Sequence, residues 1–252
     1  MTTSDILKQL VSLSNNLGRP EMDYVILGEG NTSARVTEGT FWVKSSGTEL
    51  RTITAEGFVQ VALDRALAVT DGPELNDEQV KEALASTKVD RGAPGRPSVE
   101  TLLHAQLLSL DGIKFVGHTH PTAINSLTCS IAFPEIFKGR LFPEEIVFCG
   151  TAPLLVPYTD PGLPLVRCLK EALKKYLKKQ GEAPRIVLMQ GHGLVALGAT
   201  VRQVEDTTAM AVKAARILLG TLAAGGPRYL SAKDVARIHT RPDELYRRQK
   251  LG

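Results

Sequence analysis

The stretch Ile113-Lys114-Phe115-Val116-Gly117-His118-Thr119-His120 decides how this chain is read. An apolar run ends in two histidines spaced i and i+2, and on a β-strand side chains two apart point the same way. Far downstream a second apolar run, Ile186-Val187-Leu188-Met189, is followed by Gln190-Gly191-His192-Gly193. Together the two stretches use three of the five histidines in the chain. Three imidazole ligands with an open fourth position make a catalytic zinc site, not a closed structural one. His118, His120 and His192 are therefore the expected metal ligands. His104 and His239 lack such a setting and read as structural or surface residues. A metallo-hydrolase of the β-lactamase type fits less well, because it needs an Asp-His pair just after its HisXHis, where this chain has Pro121-Thr122.

Outward from these histidines the chain alternates between helical and extended patterns. Ile6, Leu7, Leu10, Val11, Leu13 and Leu17 recur at helical spacing until Gly18 and Pro20 stop them. Tyr24 to Leu27, Ser33 to Val36 and Thr40 to Lys44 read as short antiparallel strands joined by glycine turns. Residues 74–98 are polar and rich in turn formers, and read as a surface loop. Ser98 is the expected N-cap of a helix through Leu110, and Pro121 can start another through Cys129. In the second half, Ile146 to Cys149, Leu154 to Val156, Ile186 to Met189 and Leu194 to Leu197 are expected strands. Leu163 to Lys179 is an expected helix, and Thr200 with Gln203 reads as the capping box of a long Ala-rich helix to about Ala223. No long linker separates the two histidine regions, and both must meet at one ion. The expectation is a single α/β domain over residues 1–252, with residues 226–252 as a peripheral arm or an arm to a neighbouring subunit.

Composition excludes several classes of function. The chain has 252 residues, 43% hydrophobic and 23% charged, with a net charge of +3. That balance is ordinary for a globular protein and calls for neither nucleic acid nor a membrane surface. No apolar stretch approaches the roughly 20 residues of a membrane span, and Met1 to Leu10 carries charges where a signal peptide needs an apolar run. A cytoplasmic location is the default expectation. Cys129, Cys149 and Cys168 are widely spaced in apolar surroundings and read as buried thiols without a disulfide framework.

Three further motifs surround the histidines in the sequence. Gly28-Glu29-Gly30-Asn31-Thr32-Ser33 and Ser45-Ser46-Gly47-Thr48 are glycine and hydroxyl loops of the kind that bring backbone N–H groups close to an anion or polyol. Pro97-Ser98-Val99-Glu100 places a carboxylate in the first turn of a helix, where a helix-dipole partner is the default role. In this order the five motifs resemble the class II aldolase/adducin family, which includes L-fuculose-1-phosphate aldolase and L-ribulose-5-phosphate 4-epimerase. The resemblance covers about residues 3–225.

The resemblance implies a three-layer α/β/α fold around a mainly antiparallel sheet, assembled as a homotetramer. It also implies that His118, His120 and His192 hold Zn, with Mn or Co as alternatives, and that Glu100 is the catalytic acid/base. Gly30, Asn31, Ser46, Gly47 and Ser98 would hold a substrate phosphate. The implied activity is metal-dependent retro-aldol cleavage of a small hydroxy-ketone, a sugar phosphate, through an enediolate on the metal. Epimerisation, decarboxylation and dehydration use the same electron sink and stay open. A non-catalytic binding module, as in the adducin branch, is the reading from another class, and the intact histidine set weighs against it. Two departures bear on the substrate. Val99 stands where phosphate-handling members have a second serine, and no tyrosine lies between His120 and Gly150 to act as a proton donor; Phe137 lies there, and Glu144 or Glu145 would have to substitute.

Overall fold

The computed structural model describes residues 2–244 and 246. Helix α1 (Thr3–Leu17) leads into strands β1 (Asn31–Arg35), β2 (Thr40–Lys44) and β3 (Phe58–Ala62), followed by helices α2 (Leu63–Asp71), α3 (Asp77–Ser86) and α4 (Thr101–Leu108). Strand β4 (Phe115–Thr119), helices α5 (Thr122–Thr128) and α6 (Pro143–Cys149), strand β5 (Leu154–Val156) and helix α7 (Leu163–Gln180) come next. The chain closes through β6 (Ile186–Met189), β7 (Gly193–Gly198), α8 (Val201–Ala223) and α9 (Ala232–Thr240). The strands form one sheet in the order β3-β2-β1-β4-β7-β6-β5, and only the β5–β6 pair is parallel.

The period of two along each strand divides the core between the two faces of this sheet. Val187, Met189, Val195 and Leu197 turn to one face, where they meet α4 and α7. Ile186, Leu188, Leu194 and Ala196 turn to the other, against α1, α5 and α8. The result is the three-layer α/β/α arrangement with a mainly antiparallel sheet. Burial of Leu10, Leu13, Leu102 and Leu107 to 1% exposure or less is worth about 2 kcal/mol per side chain. Strand β4 lies at the centre, antiparallel to β1 and β7 and buried along its whole length. His118 is thus fixed inside a fully buried central strand, and His120 follows just past its end.

Several local expectations are corrected. Residues 74–98 contain α3, which Asn76 and Gln79 start with a reciprocal capping box that the polar composition obscured. Ile146 to Cys149 is the end of α6, not a strand, because Pro143 at the helix start and Glu144 and Glu145 in its first turn favour a helix over the β-branched run. Tyr24 to Leu27 is irregular, with Leu27 at φ 51°. Ser98 does not cap α4; its carbonyl accepts from the Thr101 amide in a turn ahead of the helix. Thr200 caps α8 as expected, but Gln203 reaches back to the Ala199 amide at 2.7 Å, so the box is completed one residue early. Strand β3 and helix α2 fall where no element was expected. All three cysteines are free, but Cys129 is exposed, not buried. In the C-terminal arm, α9 packs beside α6 without burying a residue; Leu245 and residues 247–252 of that arm lie outside the described residues.

Candidate active site

His118 sits inside β4, opposite Asn31 of β1 and Val195 of β7. His120 follows just past the strand, its amide donating to the Tyr24 carbonyl at 2.8 Å. His192 comes from the three-residue connection between β6 and β7, where Met189 and Gly193 pair across the hairpin. The ring centroids lie 4.7, 4.9 and 5.1 Å apart, and one nitrogen from each ring falls within 4.8 Å of the others. Gly193 is what lets the hairpin approach this closely. A Cβ there would lie 2.6 Å from the Thr119 carbonyl oxygen and 2.9 Å from the His120 ring.

The hydrogen bonds orient His118 and His120 towards each other. His118 Nδ1–H donates to the Leu194 carbonyl at 3.0 Å, which turns its Nε2 towards the cluster. His118 Nε2 and His120 Nε2 are 2.9 Å apart, a separation at which either a shared proton or a shared cation offsets the repulsion of their lone pairs. Burial lowers the pKa of His118, but the Glu100 carboxylate outweighs it and raises the group above its usual value. Burial and the neighbouring His118 and His192 push His120 down to about 3. His118, His120 and His192 would hold a divalent cation through these nitrogens, and its binding would release any proton they carry. The donor set of three imidazoles fits such an ion and forms a possible metal site.

Glu100 occupies the residue before α4, four positions ahead of His104 on the same helical face. Its Oε1 lies 3.1 Å from His192 Nε2 and 3.6 Å from His118 Nε2. Burial raises the Glu100 pKa, but the charge and hydrogen bonds of His118 and His192 more than reverse this and hold the carboxyl well below the ordinary carboxylate range. Asn31 Nδ2 donates to Glu100 Oε2. His104 is fully buried behind them: Ser33 Oγ lies 2.6 Å from its Nδ1, and its Nε2 contacts Asn31 Oδ1. Because Asn31 Oδ1 can only accept, His104 carries its proton on Nε2 and Ser33 donates to Nδ1. The hydrogen bonds then run in one direction, Ser33 to His104 to Asn31 to Glu100. Burial and the charge of His118 push the pKa of His104 to about 3, which keeps it in the neutral form this chain requires.

A cavity of about 200 Å³ opens beside the cluster, bounded by Gly30, Asn31, Ser46, Gly47, Ser98 and His120 among others. The structure thus brings all the expected substrate-binding residues to one space next to the imidazoles, although Asn31 already donates to Glu100 and the Ser46 amide to the Arg96 carbonyl. Gly30, at φ +70°, has no room for a side chain between the His118 carbonyl and Val25. Glu145 does not face the site: Arg140 and the Leu141 amide satisfy it in the interior. Three residues of the site were not singled out from the sequence. His104 was signalled only by its i+4 spacing from Glu100. Glu29, whose Oε1 is 3.6 Å from His120 Nδ1, lay within a quoted loop. Lys44, which lines the same cavity, gave no sign beyond its place at a strand end.

Residues 8–219 match the family model described as Class II Aldolase and Adducin N-terminal domain. The chain belongs to the class II aldolase and adducin family. Among class II aldolase structures, it is similar to the N-terminal class II aldolase domain of a conserved protein from Thermoplasma acidophilum, with 29% identity and a TM-score of 0.68 over 87% of this chain and 95% of that one. It is 34% identical over 77% of its length to the uncharacterized oxidoreductase YuxG of Bacillus subtilis, of whose length it spans only 27%. It is 25% identical to methylthioribulose-1-phosphate dehydratase of Leptospira interrogans, over 82% of this chain and 81% of that protein. No helix among the described residues is long and apolar enough to cross a membrane.

Proposed function

We propose that the protein is a zinc-dependent aldehyde-lyase that cleaves a small phosphorylated hydroxy-ketone by retro-aldol chemistry. The observation that carries this reading is the convergence of three imidazoles, two from the end of β4 and one from the β6–β7 hairpin, on one side of a partly buried carboxylate. His118, His120 and His192 would hold the ion. When bound, the dication withdraws electron density from the ketose oxygens, so that the carbon–carbon bond next to the activated carbon can break without a Schiff base. Glu100 is placed to take a proton from the substrate hydroxyl and return it to carbon, and the one-way hydrogen bonds from His104 through Asn31 keep its carboxylate aimed. The rings and the fully buried strand behind them restrict water on that side.

A second reading is favoured by one observation, the full-length similarity to a protein named as a dehydratase of methylthioribulose 1-phosphate. Elimination of water from a ketose phosphate needs the same acidified carbon and the same base. The binding-module reading has no support from the intact ligand set. Assembly with further copies of the chain, as a tetramer, is part of the proposal; Ile26 and Leu27, 64% and 81% exposed beside the site loop, are apolar surface that a neighbour would cover.

The test is a panel of ketose 1-phosphates incubated with the zinc-loaded protein, with products followed by NMR. Release of dihydroxyacetone phosphate and an aldehyde is expected, dependent on zinc and reduced about 1,000-fold in Glu100→Gln. Loss of water without carbon–carbon cleavage would establish the dehydratase reading instead, and an inert panel with no bound metal would overturn both.

A further inference from the structure

The segment between α3 and α4 is wound around an ammonium, not around an apolar core. None of residues 89–96 is buried, whereas Lys88, at the start of the segment, is only 7% exposed. A β-bridge from Lys88 to Val61, and the Val89 amide donating to the Gln60 carbonyl at 3.0 Å, tie this end to β3 at the edge of the sheet. From there the Lys88 ammonium donates to the carbonyls of Ala93, of Gly95 at 3.2 Å and of Arg91 at 3.5 Å. An ammonium has three N–H donors, so these carbonyls take all of them. It makes no ion pair within 4.0 Å among the described residues. A buried charge is tolerated only when it is paired or its hydrogen bonds are satisfied, and here they are satisfied by the backbone of residues 91–95 alone.

The far end of this loop is built into the site. The Arg96 carbonyl accepts from the Ser46 amide at 2.9 Å, and Pro97 forms a β-bridge with Ser45. Gly95, at φ +85°, passes so close that a Cβ there would run into Ser45 Oγ. The chain then turns through Ser98 and Val99 into Glu100, whose carbonyl accepts from the His104 amide at 3.1 Å as α4 begins. Asn31 and His192 hold the Glu100 carboxylate, but its backbone takes its place from the loop on one side and α4 on the other. Every residue of α4 is buried, so the exposed loop is the part that can give. We propose that Lys88 is a positioning residue for the base: its ammonium winds residues 91–95 into the shape that delivers Glu100 to the imidazoles, without itself touching substrate. This rests on the lyase reading for what Glu100 does, but where Glu100 lies can be measured without turnover.

Two variants of the full chain test this: Lys88→Met, which keeps the stem, and Lys88→Ala, which leaves a space of the shape of propylammonium. Each is loaded with Co2+, whose visible absorption reports the groups around the ion. The absorption is expected to shift in both variants towards that of Glu100→Gln, with cobalt content unchanged. Amide hydrogen exchange over residues 91–100 of the metal-free chain should quicken about tenfold or more. For any ketose 1-phosphate that the wild type turns over, kcat should fall about tenfold, the scale of an outer partner, and KM should stay within about threefold. Propylammonium added to Lys88→Ala should restore most of the absorption and of kcat, and propanol should not, because only the cation supplies the three donors. A wild-type cobalt spectrum in both variants would overturn the inference. So would failure of both to fold or to take up cobalt, which would assign the lysine to the fold alone. If the panel is inert but the spectrum shifts and propylammonium restores it, the lyase reading fails and this one stands; if both variants turn over at the wild-type kcat, the reverse holds.

Discussion

The imidazole half of the site stands on regular backbone, whereas the half that faces a substrate anion stands on loops. His118 lies inside β4 with a strand on either side and a carbonyl fixing its tautomer. Gly28 to Gly30, Ser45 to Thr48 and Ser98 lie on connections, where Gly47 takes a positive φ and Ser46 is exposed. A lone pair must be aimed within a few tenths of an ångström to serve a metal, and only a packed strand or a tight hairpin does that. A phosphate with many acceptor positions tolerates looser partners, so its contacts can vary with substrate while the chemistry stays fixed. Val99, which stands where the resemblance implies a second serine, is in the loop half.

The sharpest way to break the contrast is to push the rigid half apart without removing a ligand. Gly193→Ala puts a methyl group against the Thr119 carbonyl and the His120 ring. Overpacking of this kind costs about 1–3 kcal/mol of stability, and a displacement of about 1 Å at the reacting groups costs about 100-fold in rate. The variant should lose stoichiometric zinc and fall at least 100-fold in turnover, measured by metal analysis and steady-state kinetics. Gly47→Ala, in the loop half and with open space around its Cβ position, should keep its zinc. Equal metal loss in both would show that the two halves do not differ in rigidity.

The same division explains what was legible in the sequence. Strand periodicity carried His118 and His120, and glycines on either side of His192 marked a tight hairpin, because these are local patterns with one geometric outcome. The three layers were readable through β6, β7, α7 and α8, whose apolar spacing is long and regular. Residues 74–98 and 146–149 were misread because capping residues, not apolar period, decide those helices. His104 and Lys44 were hidden for a different reason. Their setting lies in what is absent around them among the described residues: for His104 any solvent, for Lys44 an ion pair within 4.0 Å. Neither absence is encoded within a few residues of the position.

His104 offers a smaller perturbation that leaves every expected ligand and the base in place. Without its N–H, Asn31 Oδ1 is left unpaired in the interior and its amide is free to rotate away from Glu100. Outer partners of this kind contribute about 10- to 100-fold. His104→Phe should lower kcat about tenfold while leaving zinc content and KM near those of the wild type. A matching rise in KM would place His104 among the substrate contacts instead of behind the base.

Acid titration separates the buried groups by sign, and His104→Phe isolates the share that belongs to His104. A histidine whose folded pKa is about 3 takes up a proton on unfolding at any pH between there and its ordinary value near 6.5. Stability is then complete above about 6.5 and falls with acid, by up to about 1.4 kcal/mol per pH unit for one proton. His120 has the same sign. His118, raised by Glu100, has the opposite sign: its contribution is whole below about 6.5 and is lost only as pH rises through its folded value. Glu100, held low, loses its contribution only below about 4.5. In the window from 4.5 to 6.5, urea unfolding of the chelated protein should therefore weaken with acid at a slope set by His104 and His120. His104→Phe should reduce that slope by up to about one proton while the loss below 4.5 persists. An unchanged slope would mean that His104 is already charged in the fold, and the one-way hydrogen bonds to Glu100 could not then exist.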